Sequence, residues 1–153
     1  MEQMEKLLIQ AQLDCEAFAE LLDQEQQALI DRDMPELERL LAAKAPLVDA
    51  LSRHDRAIQT WCSQLGVAPG DDLRQHIQSS DSASLLQSYT AFQAALQRCQ
   101  ASNLRNARLV RHNQQATSHL LDLLRNQGES SQSIYDRQGL ASRSGSPRNL
   151  TKA

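Results

Sequence analysis

Residues 85–124 read LLQSYTAFQAALQRCQASNLRNARLVRHNQQATSHLLDLL, and twelve of these positions keep an unbroken 4,3,4,3 spacing. A helix of about 3.6 residues per turn brings such positions onto one stripe. The stripe consists of Leu85, Tyr89, Phe92, Leu96, Cys99, Asn103, Asn106, Val110, Asn113, Thr117, Leu120 and Leu124. It therefore predicts one long helix whose seam faces a partner and is apolar at both ends and polar in the middle.

The composition of the 153 residues favours an all-α fold. Aromatic residues make up 3% of the chain and there are only five glycines, whereas sheets use aromatic strand residues and glycine-rich turns. The longest apolar runs have about four residues, far fewer than the roughly 20 that cross a bilayer. The acidic start at residues 1–5 does not resemble a secretory signal. We therefore expect a cytoplasmic protein with no transmembrane segment.

The charges are unevenly distributed. Residues 1–60 carry 13 acids and 6 bases, whereas residues 61–128 carry 4 acids and 6 bases. This argues against nucleic acid as a partner, which needs a dense basic face. Arg105, Arg108 and Arg111 form a row on the long helix that we expect near the acidic first helices, with a solvated charged edge as the alternative.

A helical hairpin is predicted over the first 65 residues, with helices at about 3–30 and 34–65. Between them, Asp33 can cap backbone N–H groups, Pro35 suits a first turn, and Glu36 completes a capping box. Pro46 predicts a kink in the second helix. The first stripe is Met4, Leu7, Leu8, Ala11, Cys15, Phe18, Leu21, Leu22 and Leu29; the second is Met34, Leu37, Leu41, Val48, Leu51, Ile58, Cys62 and Leu65.

The remaining helices complete an elongated, coiled-coil-like bundle over residues 1–128. Gly66 is a plausible stop, a short helix follows at about 72–78, and the long helix spans about 82–126. At about 1.5 Å per residue, the two hairpin helices measure about 42 and 48 Å and the long helix about 67 Å. We therefore expect the end of the long helix to overhang the hairpin.

The overhanging end carries Leu120, Leu121, Leu123 and Leu124. These leucines cover a broad arc, and an uncovered apolar patch of this kind is typical of an interaction surface. The alternatives are that the long helix begins lower, or that the tail or a second copy of the chain covers the leucines.

Three asparagines, Asn103, Asn106 and Asn113, occupy the middle of the seam. One buried asparagine can fix the register of a coiled coil, but three are more than register needs. A straight helix also drifts by about 20° per heptad, which brings other residues to the inward face. We therefore expect a partly exposed polar middle instead of a buried network.

Residues 129–153 are predicted to form a flexible tail. This segment contains six serines, and its sizeable apolar residues are Ile134, Tyr135, Leu140 and Leu150. Such a composition cannot offset the entropy of ordering, so the tail is expected to fold on a partner.

No motif for catalysis, a metal or a cofactor stands out. The sequence has no glycine-rich phosphate loop, no Cys-x-x-Cys and no His-Glu-x-x-His. His112 and His119 are about 10.5 Å apart along a helix, too far to share a metal ion. Cys15, Cys62 and Cys99 have no framework spacing and are expected to be reduced and buried. We predict that the protein is not an enzyme and needs no cofactor.

Three segments resemble the FlgN family of flagellar type III export chaperones. They are Leu22–Asp33 with Leu37, Leu40, Lys44 and Leu47 following; Asn103–Val110; and Ile134–Gly139. The tyrosine-glycine tail after an Asn-x-x-Asn helix is the most specific of the three.

The resemblance implies a cytoplasmic helical chaperone for FlgK and FlgL, the hook-filament junction proteins. Such a protein would keep their disordered C-terminal segments soluble and deliver them to the export gate. In the family the C-terminal part recognises clients, and a tail tyrosine, here Tyr135, is linked to docking at the gate.

We expect the leucines at 120, 121, 123 and 124 to form the floor of a groove for an amphipathic client helix. Ile134, Tyr135 and Leu140 are expected to order on binding. The alternative is a structural coiled-coil adaptor that self-associates through the leucine-rich end and is thus a homodimer. A helical enzyme or metal carrier is a second alternative, which the missing ligand spacing disfavours.

Overall fold

The computed structural model describes residues 1–131, with the side chains of residue 117 and residues 127–131 excepted. This range contains no strand and forms four helices: α1 (Glu2–Asp31), α2 (Met34–Leu65), α3 (Asp71–Gln78) and α4 (Ala83–Ser131). The predicted all-α fold is confirmed. Two compact units divide the chain: the first comprises Met1–Leu109, and the second begins at Val110. The predicted tail at 129–153 lies almost wholly outside the described residues, so its flexibility stays a prediction.

The turn between α1 and α2 forms as the sequence predicts. Arg32 ends α1 in the left-handed conformation, with φ 54°, and the Asp33 N–H donates to the Ala28 carbonyl at 2.9 Å. The Asp33 carboxylate then accepts from the Glu36 N–H at 3.2 Å and caps α2. The reciprocal half of the capping box is absent, because the Glu36 carboxylate binds Arg39 at 2.7 Å instead.

The second helix of the hairpin continues through its internal proline. α2 runs from Met34 to Leu65 as one element that includes Pro46. Proline has no N–H, so the carbonyl of Ala42, one turn before Pro46, has no helical hydrogen-bond donor at that position. The helix ends at Gly66, whose φ of 70° is the left-handed cap that the sequence predicts. Pro46 therefore does not split the hairpin arm into two helices.

The core of the first unit lies along the inner sides of α1, α2 and α4. A lower cluster joins Leu8 of α1, Ile58 of α2 and Leu73 of α3 with Leu85 and Tyr89 of α4. An upper cluster contains small side chains, namely Cys15 and Ala19 of α1 with Ala95 and Cys99 of α4. Small residues let α1 and α4 approach closely, and the Cys99 thiol donates to the Cys15 carbonyl at 2.8 Å. The predicted stripe of α1 and the first part of the α4 seam are both core.

The predicted stripe of α2 is only partly correct. Leu51, Ile58 and Cys62 pack into the core. Met34, Leu41 and Val48, by contrast, are 61%, 70% and 46% exposed. The 3,4 pattern of α2 contains two adjacent apolar stripes, and the helix contacts its neighbours along only one of them. Residue types alone do not tell the inner stripe from the outer one.

The expected exposed polar middle of α4 is wrong at one position. Asn103 is exposed, but Asn106 is only 2% exposed. Its amide donates to the Leu22 carbonyl and to Glu25 Oε1, both at 2.8 Å. Glu25 Oε2 in turn accepts from the Lys44 ammonium at 2.7 Å. Asn106 is buried because these partners satisfy its amide, and the resulting polar layer joins α1, α2 and α4.

Basic side chains of α4 contact acidic side chains of α1. Of the predicted row of Arg105, Arg108 and Arg111, this is confirmed for Arg105. Arg105 donates to the Leu22 carbonyl at 3.1 Å and to Asp23 at 3.2 Å. Arg98, seven residues and thus about two turns earlier, donates to the same carboxylate at 2.9 Å. Arg108 is exposed, so the row is only partly engaged with α1.

Candidate partner-binding surface

The second unit exposes a cluster of leucines near the end of α4. Leu120 and Leu124 are each 56% exposed, and Leu121 and Leu123 are 44% and 49% exposed. Large apolar side chains are usually buried in a soluble protein, because moving their apolar surface out of water stabilises the folded state. Four of them within five residues form an apolar patch, which we call the leucine patch.

Helical geometry spreads the leucine patch over a wide arc. At about 100° per residue, Leu123 and Leu121 mark the two edges, which lie about 160° apart. Leu120 and Leu124 lie between them on neighbouring turns. An arc this broad is wider than the narrow seam of a two-stranded coiled coil and suits contact with more than one apolar surface.

Polar side chains occupy the other side of this part of α4. Asp122 and Arg125 form an ion pair with an N–O distance of 3.4 Å, and the Asp122 side chain is 60% exposed. Such an exposed pair contributes little to stability, since water and salt screen it. The helix is thus amphipathic in the second unit, with the leucine patch as its apolar face.

The structure describes four of the predicted site residues. The four leucines lie on one face of α4 and are exposed. Ile134, Tyr135 and Leu140 lie outside the described residues. The groove and the roles of all seven residues in it therefore stay predictions.

The buried nucleophiles of the first unit are packing residues. Burial and the neighbouring Cys99 raise the pKa of the Cys15 thiol from 9.0 to about 12. Burial also raises the pKa of Cys62 and of Cys99. A protonated, buried thiol is a poor nucleophile and a poor metal ligand. The three cysteines are free and buried, as the sequence predicts, and they fill space in the core.

Within residues 1–131, no group of three or more His, Cys, Asp or Glu side chains is arranged to hold a metal ion. None of the helices in that range is both long enough and apolar enough to cross a membrane. The leucine patch offers apolar contact, with the charged side chains of Asp122 and Arg125 on the same part of the helix.

A further exposed apolar stripe on α2 was missed by the sequence interpretation. Met34, Leu41 and Val48 belong to the predicted stripe of α2 but are exposed. Their spacing of seven residues is shared by Leu51, Ile58 and Leu65 on the inner side of the helix, so the spacing does not distinguish the exposed stripe from the buried one.

A comparison with protein-family models and a comparison with solved structures both find FlgN proteins. The family model FlgN, described as FlgN protein, matches residues 1–143. A crystal structure described as that of a flagella synthesis protein FlgN from Pseudomonas aeruginosa is similar, with 34% sequence identity and a TM-score of 0.64. The similarity covers 82% of this chain and 98% of that one. No curated protein matches the sequence.

Proposed function

Because the chain belongs to the FlgN family, a family of flagellar chaperones, we propose that it binds the C-terminal segments of FlgK and FlgL. In this proposal the protein works in the cytoplasm, keeps these segments soluble and delivers them to the type III export gate. It makes and breaks no covalent bond.

The observation that carries the proposal is the exposed leucine patch of the second unit. Holding a disordered segment in solution requires an apolar surface that covers the apolar residues of the segment. A helix that presents four leucines supplies such a surface, and an amphipathic client helix can lay its own apolar face against it. Segments that fold on binding bury large apolar areas although their net affinity is moderate.

The tail has two roles in the proposal. Ile134 and Leu140 add apolar contacts to the bound client, while Tyr135 docks at the export gate. If the two roles are separate, a Tyr135→Ala protein should still bind the client but should no longer support its export. A Tyr135→Ala protein that loses client binding would contradict the separation.

A pull-down with the C-terminal segments of FlgK and FlgL tests the binding site. We expect deletion of residues 115–153 to abolish binding. A sharper variant carries Leu120→Ser and Leu124→Ser, which removes two exposed anchors without touching the core. Truncation of central apolar anchors commonly costs about 2 kcal/mol or more each, so binding should fall by well over tenfold.

The matched control is Leu13→Ser, which removes a leucine that is 51% exposed on α1 in the first unit. It should leave client binding unchanged. Retained binding after the deletion would defeat the assignment of the site. A tight dimer that buries the leucine patch and binds neither client, seen by sedimentation, would favour the self-associating adaptor.

A further inference from the structure

Two histidines lie along one edge of the leucine patch. At about 100° per residue, His112 and His119 fall about 20° and 40° outside Leu123, the residue that marks this edge. They are seven residues apart, which is about 10.5 Å along the helix axis. Both side chains are exposed. A helix that packs against the leucine patch and continues along α4 would therefore pass beside both imidazoles.

The acidic positions of the second unit lie on the opposite side of α4. Between residues 110 and 131 the acids are Asp122 and Glu129. Their helical positions are about 180° and about 160° from the middle of the arc that the leucine patch covers. Within residues 110–131, then, no acidic position borders the patch.

The charged positions that do border the patch are basic. Arg125 lies about 40° outside Leu121, which marks the other edge, and its side chain is 29% exposed. Arg111 lies at the back of the helix, on the same side as the acids. The histidines at one edge and the arginine at the other make both borders of the patch basic.

The charged groups nearest to the two histidines lie on α4 itself. Arg108 comes four residues before His112, and Asp122 comes three residues after His119. The carboxylate of Asp122 pairs with Arg125. None of the ion pairs between described residues involves either histidine. The described part of the second unit consists of α4 alone, so no other element described there faces the imidazoles.

Histidine gives this edge a charge that depends on pH. An imidazole is the side chain whose charge ordinarily changes between about pH 5 and pH 8. Protonation of His112 and His119 places two positive charges along one border of an apolar surface, whereas Arg125 at the other border is charged throughout this range. Opposite charges at flanking positions select a helical partner, and like charges disfavour it. The leucine patch therefore favours a helix with acidic flanks, and more strongly as the pH falls.

The same charges argue against a second copy of the chain as the occupant. In a parallel pair of leucine patches, the histidine edge of each copy would lie beside the Arg125 edge of the other. In an antiparallel pair, histidines would lie beside histidines. Both arrangements bring basic side chains together, which disfavours the pair.

We propose that the leucine patch binds amphipathic helices with Glu or Asp at their flanking positions, and that protonation of His112 and His119 strengthens this binding. The inference rests on the proposed function, because it concerns the same surface, and it adds the chemistry of the client helix. Apolar side chains of the bound helix cover the leucines. Its carboxylates pair with the imidazolium groups at one edge and with Arg125 at the other.

Two synthetic helical peptides of about four heptads test the proposal. Both carry the same leucine seam, and their flanking positions are Glu in one and Lys in the other. Fluorescence anisotropy measures binding of each labelled peptide to the full chain at about pH 6 and about pH 8, where Glu stays ionised. We expect the Glu peptide to bind more tightly than the Lys peptide. Its affinity should be about fivefold higher at the lower pH, a size that two exposed ion pairs can supply.

Substitutions assign the pH dependence to the histidine edge. His112→Gln with His119→Gln should remove it, whereas His112→Lys with His119→Lys should give tight binding of the Glu peptide at both pH values, because the ammonium groups stay charged. The matched control is His76→Gln, which changes a histidine of α3 in the first unit and should retain the full pH dependence. Leu120→Ser with Leu124→Ser should abolish binding of the Glu peptide.

Three results would overturn the inference. The first is equal affinity for the two peptides. The second is a pH dependence that persists after His112→Gln with His119→Gln. The third is a dimer of the wild-type chain in sedimentation that Leu120→Ser with Leu124→Ser dissociates, which would identify a second copy as the occupant.

The pull-down with the FlgK and FlgL segments distinguishes failure of this inference from failure of the proposed function. Client segments that bind equally well at both pH values would contradict the inference and leave the proposed function standing. A Glu peptide that binds with the expected pH dependence, while neither client segment binds, would support the inference and contradict the proposed clients.

Discussion

In the first unit, the seam of α4 is covered from Leu85 to Cys99, whereas in the second unit the same helix leaves its four leucines exposed. Both parts have helical spacing and both contain large apolar side chains. The buried part packs against α1, α2 and α3, and its partners are small or apolar side chains of the same unit. One spacing can thus form part of a packed core in one region and leave apolar side chains exposed in another.

The difference between these regions implies different responses to mutation. Side chains in the first part of α4 contribute to folding, because their removal leaves a cavity in a packed core. The leucine patch contributes apolar surface that water already contacts, so its removal should affect binding and leave folding nearly unchanged. Four predictions follow this contrast.

Alkaline pH should produce a large loss of stability, and it should act on the first unit. The pKa of Cys15 is raised from 9.0 to about 12 in the folded chain. Between these values the unfolded chain releases the thiol proton and the folded chain retains it, so the free energy of unfolding falls as pH rises. Well below pH 9.0 the thiol is protonated in both states, and the free energy of unfolding does not depend on it.

Urea unfolding at several pH values measures this fall for the wild type and for Cys15→Ala. The wild type should lose more stability than Cys15→Ala between about pH 9 and pH 11. Equal slopes for the two proteins would show that the thiol is not protected by the core.

Leu85→Ala should lower the free energy of unfolding by about 2–5 kcal/mol, the cost of deleting a buried leucine side chain. Leu85 is 1% exposed and belongs to the lower cluster. The matched control Leu124→Ala, in the leucine patch, should change stability by no more than about 0.5 kcal/mol. Denaturant titration monitored by circular dichroism compares the two. Similar losses would remove the distinction between the two parts of α4.

Asn106→Ala should cost about 1–3 kcal/mol, because it removes the buried donor that binds the Leu22 carbonyl and Glu25. Asn103→Ala is the control, since Asn103 lies three positions away and is exposed. The same titration measures both variants. An Asn106→Ala protein as stable as Asn103→Ala would show that the polar layer does not stabilise the bundle.

Arg98→Ala should have the smallest effect of these changes, because its ion pairs are exposed and screened. Arg98 is 44% exposed and donates to Asp23, which is exposed to the same degree. Raising the salt concentration should shrink the difference further. A loss as large as that of Leu85→Ala would mean that charge, and not apolar packing, holds α4 to α1.

Sequence reasoning predicted most of the local structure. The cap by Asp33 and the stop at Gly66 follow from the backbone preferences of single residues, which hold in almost any context. The buried stripe of α1 follows from a single apolar period. These features depend on local chemistry, so they can be inferred without knowledge of the partners.

The errors concern residues whose burial depends on neighbouring helices. Met34, Leu41 and Val48 fit the apolar pattern of α2, but the positions of α1 and α4 decide which stripe is covered. Asn106 is buried because Leu22 and Glu25 supply hydrogen-bond acceptors, a condition that residue type alone does not reveal. The leucine patch is predicted as a site because the long helix is expected to outrun the hairpin, and its role in client binding stays a prediction.

Hydrogen exchange of the full chain, with and without the C-terminal segment of FlgK, tests the central claim most directly. If the leucine patch is the client site, amides of residues 115–126 should exchange more slowly in the complex, while those of Leu85–Cys99 should be unchanged. Binding of the segment with no added protection in residues 115–126 would contradict the account.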